Sequence, residues 1–157
     1  MGKANVNQPC PPLAPLFRAA GSILLLAAAS CAPPPTTASV AIPPIPPQQG
    51  RVWFYREVDT ADQDSTTTYV RLNGAIAGVP EQGGAFYHDV PPGRYQITVD
   101  SEGMSPSPSR DAALVAGEQI YARIGLGGSW NGQGFTIAVE PSGVGRAAIE
   151  HSKFYGG

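Results

Sequence analysis

The side chains that could do chemistry in this sequence are few. Two histidines are present, His88 beside Asp89 and His151 near the C-terminus. A Ser-His-Asp triad needs three groups converging on one point, and no Gly-x-Ser-x-Gly nucleophile motif occurs. In a strand, His88 and Asp89 project to opposite faces and cannot pair as neighbours, so a backbone carbonyl is the expected partner of His88. No cysteine follows residue 31. A zinc site would therefore need both histidines and a carboxylate, and the sequence assigns no metal, no cofactor and no catalytic residue. Asp59-Thr60-Ala61-Asp62-Gln63-Asp64 offers oxygen ligands at short spacing. It lacks the glycine at position 6 and the glutamate at position 12 of an EF-hand loop, so it reads as a solvated hairpin tip, with a weak calcium site as the alternative.

The glycine-rich stretch Gly125–Gly134 has no Gly-Lys-Ser/Thr and fails as a phosphate loop. Trp130, followed by Asn131, sits among its glycines. A tryptophan in such a loop either lies back over the end of the core or stands out as a contact for a partner. Trp130 and Asn131 are the candidate contact residues. Eight of the ten basic residues and all twelve acidic ones follow residue 50, leaving that part with a charge of −4. No basic patch favours nucleic acid.

Of the two cysteines, Cys10 falls in the segment expected to be removed, which leaves Cys31. It closes Ser22-Ile23-Leu24-Leu25-Leu26-Ala27-Ala28-Ala29-Ser30, part of a charge-free apolar run from Ala19 to Ala29 that follows Lys3 and Arg18. The run has the length of a signal-peptide core and is short of the ~20 residues a spanning helix needs. Ala28-Ala29-Ser30 are small enough for a peptidase pocket, and the arrangement resembles the bacterial lipobox, with Ala28 where leucine is favoured. The resemblance implies export, cleavage before Cys31, and a membrane anchor through lipid on that cysteine. The alternative is an ordinary signal peptide cut in Ala27-Ala28-Ala29, leaving Cys31 a free thiol. Ala32 stands where an aspartate would retain a sorted lipoprotein in the inner membrane, which favours the outer membrane.

These residues must be positioned by the elements behind them, and three segments are expected. Residues 1–30 form the signal peptide. Residues 31–50 hold the lipidated cysteine and a disordered spacer rich in proline, which removes donors and fixes φ, favouring extended polyproline II. Residues 51–157 form one domain. There, short β-type runs punctuated by Gly and Pro predict strands over 51–57, 68–72, 75–79, 85–90, 94–100, 112–115, 119–126, 135–140 and 146–151. Helical periodicity is almost absent. Tyr95, Ile97 and Val99 alternate with polar neighbours, as do Ile120, Ala122, Ile124 and Leu126 with Tyr121 and Arg123. Such strands have one face on a core and one in water. Val52-Trp53-Phe54-Tyr55 is apolar on both faces, the mark of a central strand. Asn73-Gly74 predicts a type I′ hairpin. Pro91-Pro92-Gly93, with the glycine at positive φ, and Ala116-Gly117-Glu118 predict further turns. The fold class is all-β, an antiparallel β-sandwich.

Tyr69-Val70-Arg71-Leu72-Asn73-Gly74, Gly78-Val79-Pro80, Val90-Pro91-Pro92-Gly93-Arg94-Tyr95 and Ala116-Gly117-Glu118 resemble the PEGA-type surface module. Val52-Trp53-Phe54-Tyr55-Arg56 and Gly117-Glu118-Gln119-Ile120-Tyr121 are more similar to a related group of bacterial lipoproteins known as a domain of unknown function. The likeness ends near Leu126. It implies a PEGA-like or transthyretin-like sandwich at the cell envelope and carries over no catalytic residue. The function expected is therefore a non-enzymatic, membrane-anchored interaction or structural module, with an envelope protein or cell-wall polymer as partner. The alternative is a glycan- or peptidoglycan-handling hydrolase, which would need paired carboxylates across a cleft.

If Trp130 is a contact, Trp130→Ala weakens capture of cell-wall polymer or envelope protein by ~2 kcal/mol or more with little change in the unfolding midpoint. If it caps the core, the loss is ~3–5 kcal/mol of stability with capture unchanged. Measuring both on one variant decides between them.

Overall fold

The computed structural model describes residues 33–59, 67–101, 107–127 and 134–157. Its centre is β1 (Gly50–Arg56), in which every residue is buried. The remaining elements are β2 (Val70–Leu72), β3 (Ala75–Gly78), β4 (Gly84–Val90), β5 (Gly93–Val99), β6 (Ser109–Leu114), β7 (Gln119–Leu126), β8 (Phe135–Glu140), α1 (Ser142–Glu150) and β9 (Lys153–Phe154). Two sheets result, one ordered β8-β7-β1-β4-β9 and the other β3-β2-β5-β6. The molecule is a β-sandwich, as the alternation of apolar residues requires.

The inner faces interdigitate through Val52 and Phe54 of β1, Phe86 of β4, Ile97 and Val99 of β5, and Ala122 and Ile124 of β7. Phe54 and Phe86 stack with centroids 5.1 Å apart. The hairpin between β2 and β3 has Asn73 at φ 51° and Gly74 at φ 83°, the pair of positive values that type I′ demands. Asn73 also extends the neighbouring ladder: its N–H donates to Gln96 O and its Oδ1 accepts from Gln96 N, each at 2.8 Å. Gly117 turns at φ 78° as expected.

The structure corrects the sequence reading in several places. The sandwich is not purely antiparallel: β1 pairs with β7, and β4 with β9, in parallel. Gly93 has no positive φ and simply begins β5. Residues 146–151, expected as a strand, belong mostly to α1, whose buried residues are Gly145 and Ile149. That spacing of four is a helical face. Glycine hid it, because Gly145 lowers helix propensity yet is needed for contact: a Cβ there would stand 2.3 Å from Tyr121 Cβ.

Tyr121, expected on the water face of β7, is buried for the same reason. The outer face of the five-stranded sheet carries a second core of Trp53, Tyr55, Ala85, Tyr87, Tyr121 and Ile149. α1 covers one part of it.

Another part is covered by the segment expected to be a disordered spacer. Its described residues 33–49 lie along the domain as a strap. Phe154 N–H donates to Pro35 O and Thr37 N–H to Ser152 O, both at 2.8 Å, and Thr36 bridges Lys153. Farther on, Ile42 packs on the second core and Gln49 O accepts from Gly117 N at 2.8 Å. Prolines remove the strap's own donors, but its carbonyls and apolar side chains still bind to the sheet.

The Tyr55 hydroxyl is buried with no hydrogen-bond partner among the described residues. Burial pushes its pKa up to about 12, with Glu140 and Glu57 adding to the shift and Arg123 opposing it. The unfolded chain's tyrosine ionises near 10.0. The associated stability is thus complete below pH 10 and is lost as pH rises through 12. Tyr55→Phe removes an unsatisfied group whose burial costs ~1–3 kcal/mol. Urea titrations from pH 7 to 11 should show equal or greater stability at neutral pH and a shallower alkaline decline than the parent.

Candidate functional site

Cys31, Trp130 and Asn131 lie outside the described residues, as does the acidic loop beyond Asp59. The loop carrying Trp130 and Asn131 joins β7 to β8, and Gly127 N–H donates to Gly134 O at 2.8 Å across its stem. Asp59 uses its backbone carbonyl to accept from Gln82 Nε2 at 2.7 Å. His88 Nε2 lies 2.7 Å from Ala77 O, so that nitrogen carries a proton and donates to a carbonyl, as the sequence reading expects. Its ring is edge-on to Phe54 and Phe86. His151 is exposed just beyond α1. Among the described residues, no group of three His, Cys, Asp or Glu side chains could hold a metal ion.

Two hollows compete as a site. The larger, about 500 Å³, lies on the outer face of the four-stranded sheet and is lined by Asn73, Arg94, Gln96, Asp111 and Ala113. Arg94, Gln96 and Asp111 are exposed, and Asn73 already spends its amide oxygen on Gln96 N. Such a surface must order its long side chains at the moment of binding, an entropic cost.

The smaller hollow, about 330 Å³, opens between the strap and α1 over the five-stranded sheet. Ile42, Pro44, Trp53, Tyr121, Arg146 and Glu150 line it. Its floor is held rigidly. Trp53 Nε1–H donates to Gln119 Oε1 at 2.8 Å, a bond set up by the neighbouring positions of β1 and β7. Trp53 and Tyr87 tilt against each other with centroids 4.9 Å apart. A pre-ordered aromatic floor under a polar rim suits recognition, and this cleft is the better candidate.

The anchor of the floor is Arg51. Its Nε and Nη2 donate to the two carboxylate oxygens of Asp89 at 2.7 and 2.8 Å, and Nη1 donates to Pro43 O at 3.0 Å. The guanidinium carbon lies 3.9 Å from the Tyr87 ring centroid. Register explains the arrangement: Arg51 is directly opposite Asp89 on β4, and Tyr87 shares the face of Asp89. The hydrogen bond to Asp89 raises the Arg51 pKa above its ordinary value, against the opposing effect of burial. One guanidinium thus ties β1, β4 and the strap together through a forked geometry that lysine cannot reproduce.

The polar groups of the floor are already paired. The Arg51 charge is matched by Asp89 and the Trp53 donor is satisfied, while Arg146 and Glu150, one helical turn apart, are exposed on the rim. Sequence alone does not reveal this site, because Arg51 stands at the boundary of the expected spacer. The alignment of Arg51 with Asp89 needs the pairing of β1 with β4. Compared with known families and curated proteins, the chain matches no family model and no curated sequence.

Arg51→Met leaves the Asp89 carboxylate without its fork and should cost ~3–5 kcal/mol, whereas Arg51→Met with Asp89→Leu should recover most of it. Unfolding midpoints measure this. Limited proteolysis of the single variant should also cut faster between residues 38 and 45, because the strap loses the bond at Pro43.

Proposed function

We propose that this chain is an exported, lipid-anchored module of the bacterial envelope, attached to the outer membrane through Cys31, that recognises an envelope protein or cell-wall polymer without transforming it. The observation that carries the proposal is the charge-free run ending Ala28-Ala29-Ser30-Cys31, four residues ahead of Pro35, whose carbonyl is bonded to Phe154 N of the folded domain. A thiol at that junction is where a lipid anchor would be attached.

The sandwich supports a binding role in two ways. Its order comes from burial and turns rather than from any disulfide, since no cysteine follows residue 31. Its cleft presents a fixed aromatic floor, which favours capture over chemistry. The likeness of the turn segments to PEGA-type surface modules and to the lipoprotein group of unknown function agrees with an envelope setting. Trp130 and Asn131 offer a second contact on the loop between β7 and β8. Among the described residues no helix is long and apolar enough to cross a membrane, and in this reading the lipid is what holds the protein there.

Intact-mass analysis of the mature protein should give residues 31–157 plus acyl groups, and Cys31→Ala should yield an unacylated chain that leaves the membrane fraction on washing. A parent chain beginning at Ser30, or at Cys31 without acyl mass, would overturn the lipid anchor.

A further inference from the structure

The strap changes what a lipid on Cys31 would do to the domain. A free spacer of 19 residues would let the sandwich stand up to about 60 Å from the bilayer at ~3.1 Å per residue. The strap is not free. The Pro35 carbonyl accepts from Phe154 N, Thr37 N–H donates to Ser152 O, and Thr36 bridges Lys153. Only four residue steps separate Cys31 from Pro35, a reach of at most ~14 Å even when fully extended at ~3.3–3.6 Å per residue.

We infer that the edge of the five-stranded sheet formed by β9 and the start of the strap is a membrane-contact surface, held against lipid headgroups by the short link to Cys31. The inference rests on the lipid anchor of the proposed function. The partner is a phospholipid bilayer, and the exposed chemistry suits it. Tyr155 is 46% exposed, with its ring over Gly84, where a Cβ would stand 2.5 Å from Tyr155 Cε2. A ring with an apolar body and a polar tip sits at headgroup depth. Lys153 beside it is exposed and can lay its stem along the interface while its ammonium meets phosphate. Pro33 and Pro35, also exposed, add apolar surface without free donors.

The same geometry sends the rest of the domain outward. β9 is one edge of its sheet and β8 the other, and β6 of the second sheet packs near β8. Four interstrand steps separate β9 from β8, roughly 19 Å at ~4.8 Å each. The far corner around Ala113 on β6, beside the larger hollow, therefore faces away from the bilayer.

The test uses the full-length acylated protein in vesicles containing lipids with a headgroup-attached quencher. Cys31 is blocked by its lipid and is the mature chain's one cysteine, so single fluorophores can be placed by Lys153→Cys, Ser39→Cys and Ala113→Cys. Ser39 lies on the strap itself and gives an independent reading should the β9 label disturb edge pairing. The labels at 153 and 39 should be quenched severalfold more than the label at 113. Equal quenching at all three on a chain of acylated mass would overturn the membrane contact and leave the anchor standing. A chain of unacylated mass would overturn the anchor and the contact with it.

Discussion

Because β1 is withdrawn from water along its whole length, it must be covered twice. Val52 and Phe54 point into the sandwich, while Trp53 and Tyr55 point out of it. A two-sheet fold covers only the first pair. Each large aromatic buries roughly 150–250 Å², too much apolar surface to leave on a small domain. A third layer of α1 and strap answers that demand, with Phe154 of the edge strand β9 packing beside it. Gly145 lets α1 approach Tyr121 closely, and Ile149 packs among the aromatics.

Arg51 is the polar counterpart of that apolar constraint. A guanidinium only 3% exposed needs partners for its donors, and it has the Asp89 carboxylate, the Pro43 carbonyl and the Tyr87 ring. Arg56, at the other end of β1, is also buried; it donates to Pro80 O and lies over Phe135. Its pKa is lowered, chiefly by burial. Both ends of the central strand thus carry cations whose partners come from different loops and strands. This ties segments far apart in sequence to β1.

The strap has a further structural consequence. β9 is a short edge strand, and an edge with unpaired amides and carbonyls invites association with other chains. Pro35, Thr36 and Thr37 occupy part of that edge, and Pro35, which has no N–H, limits the strap's ability to template another strand. The same residues that shield the edge leave only four residue steps to Cys31. The aromatic cleft then opens between the strap and α1 rather than on a bare sheet face.

What the sequence determined by itself was local. Alternation in β5, the double-sided apolar run of β1, and the Asn73-Gly74 turn follow from side-chain period and backbone sterics over a few residues, and all three stand in the structure, whereas the expected water face of β7 is covered at Tyr121. The carbonyl partner of His88 was likewise legible, because a strand sends His88 and Asp89 to opposite faces. What only tertiary structure decided was which distant pieces cover the outer aromatic face. Parallel pairing of β1 with β7, the helical state of residues 142–150, and the docking of a proline-rich segment depend on contacts made across most of the chain. Glycine and proline are read locally as breakers, yet here Gly145 allows close packing and the prolines form a strap. The candidate cleft was hidden for the same reason: Arg51 meets Asp89, and Trp53 meets Gln119, only after long-range strand register brings them side by side.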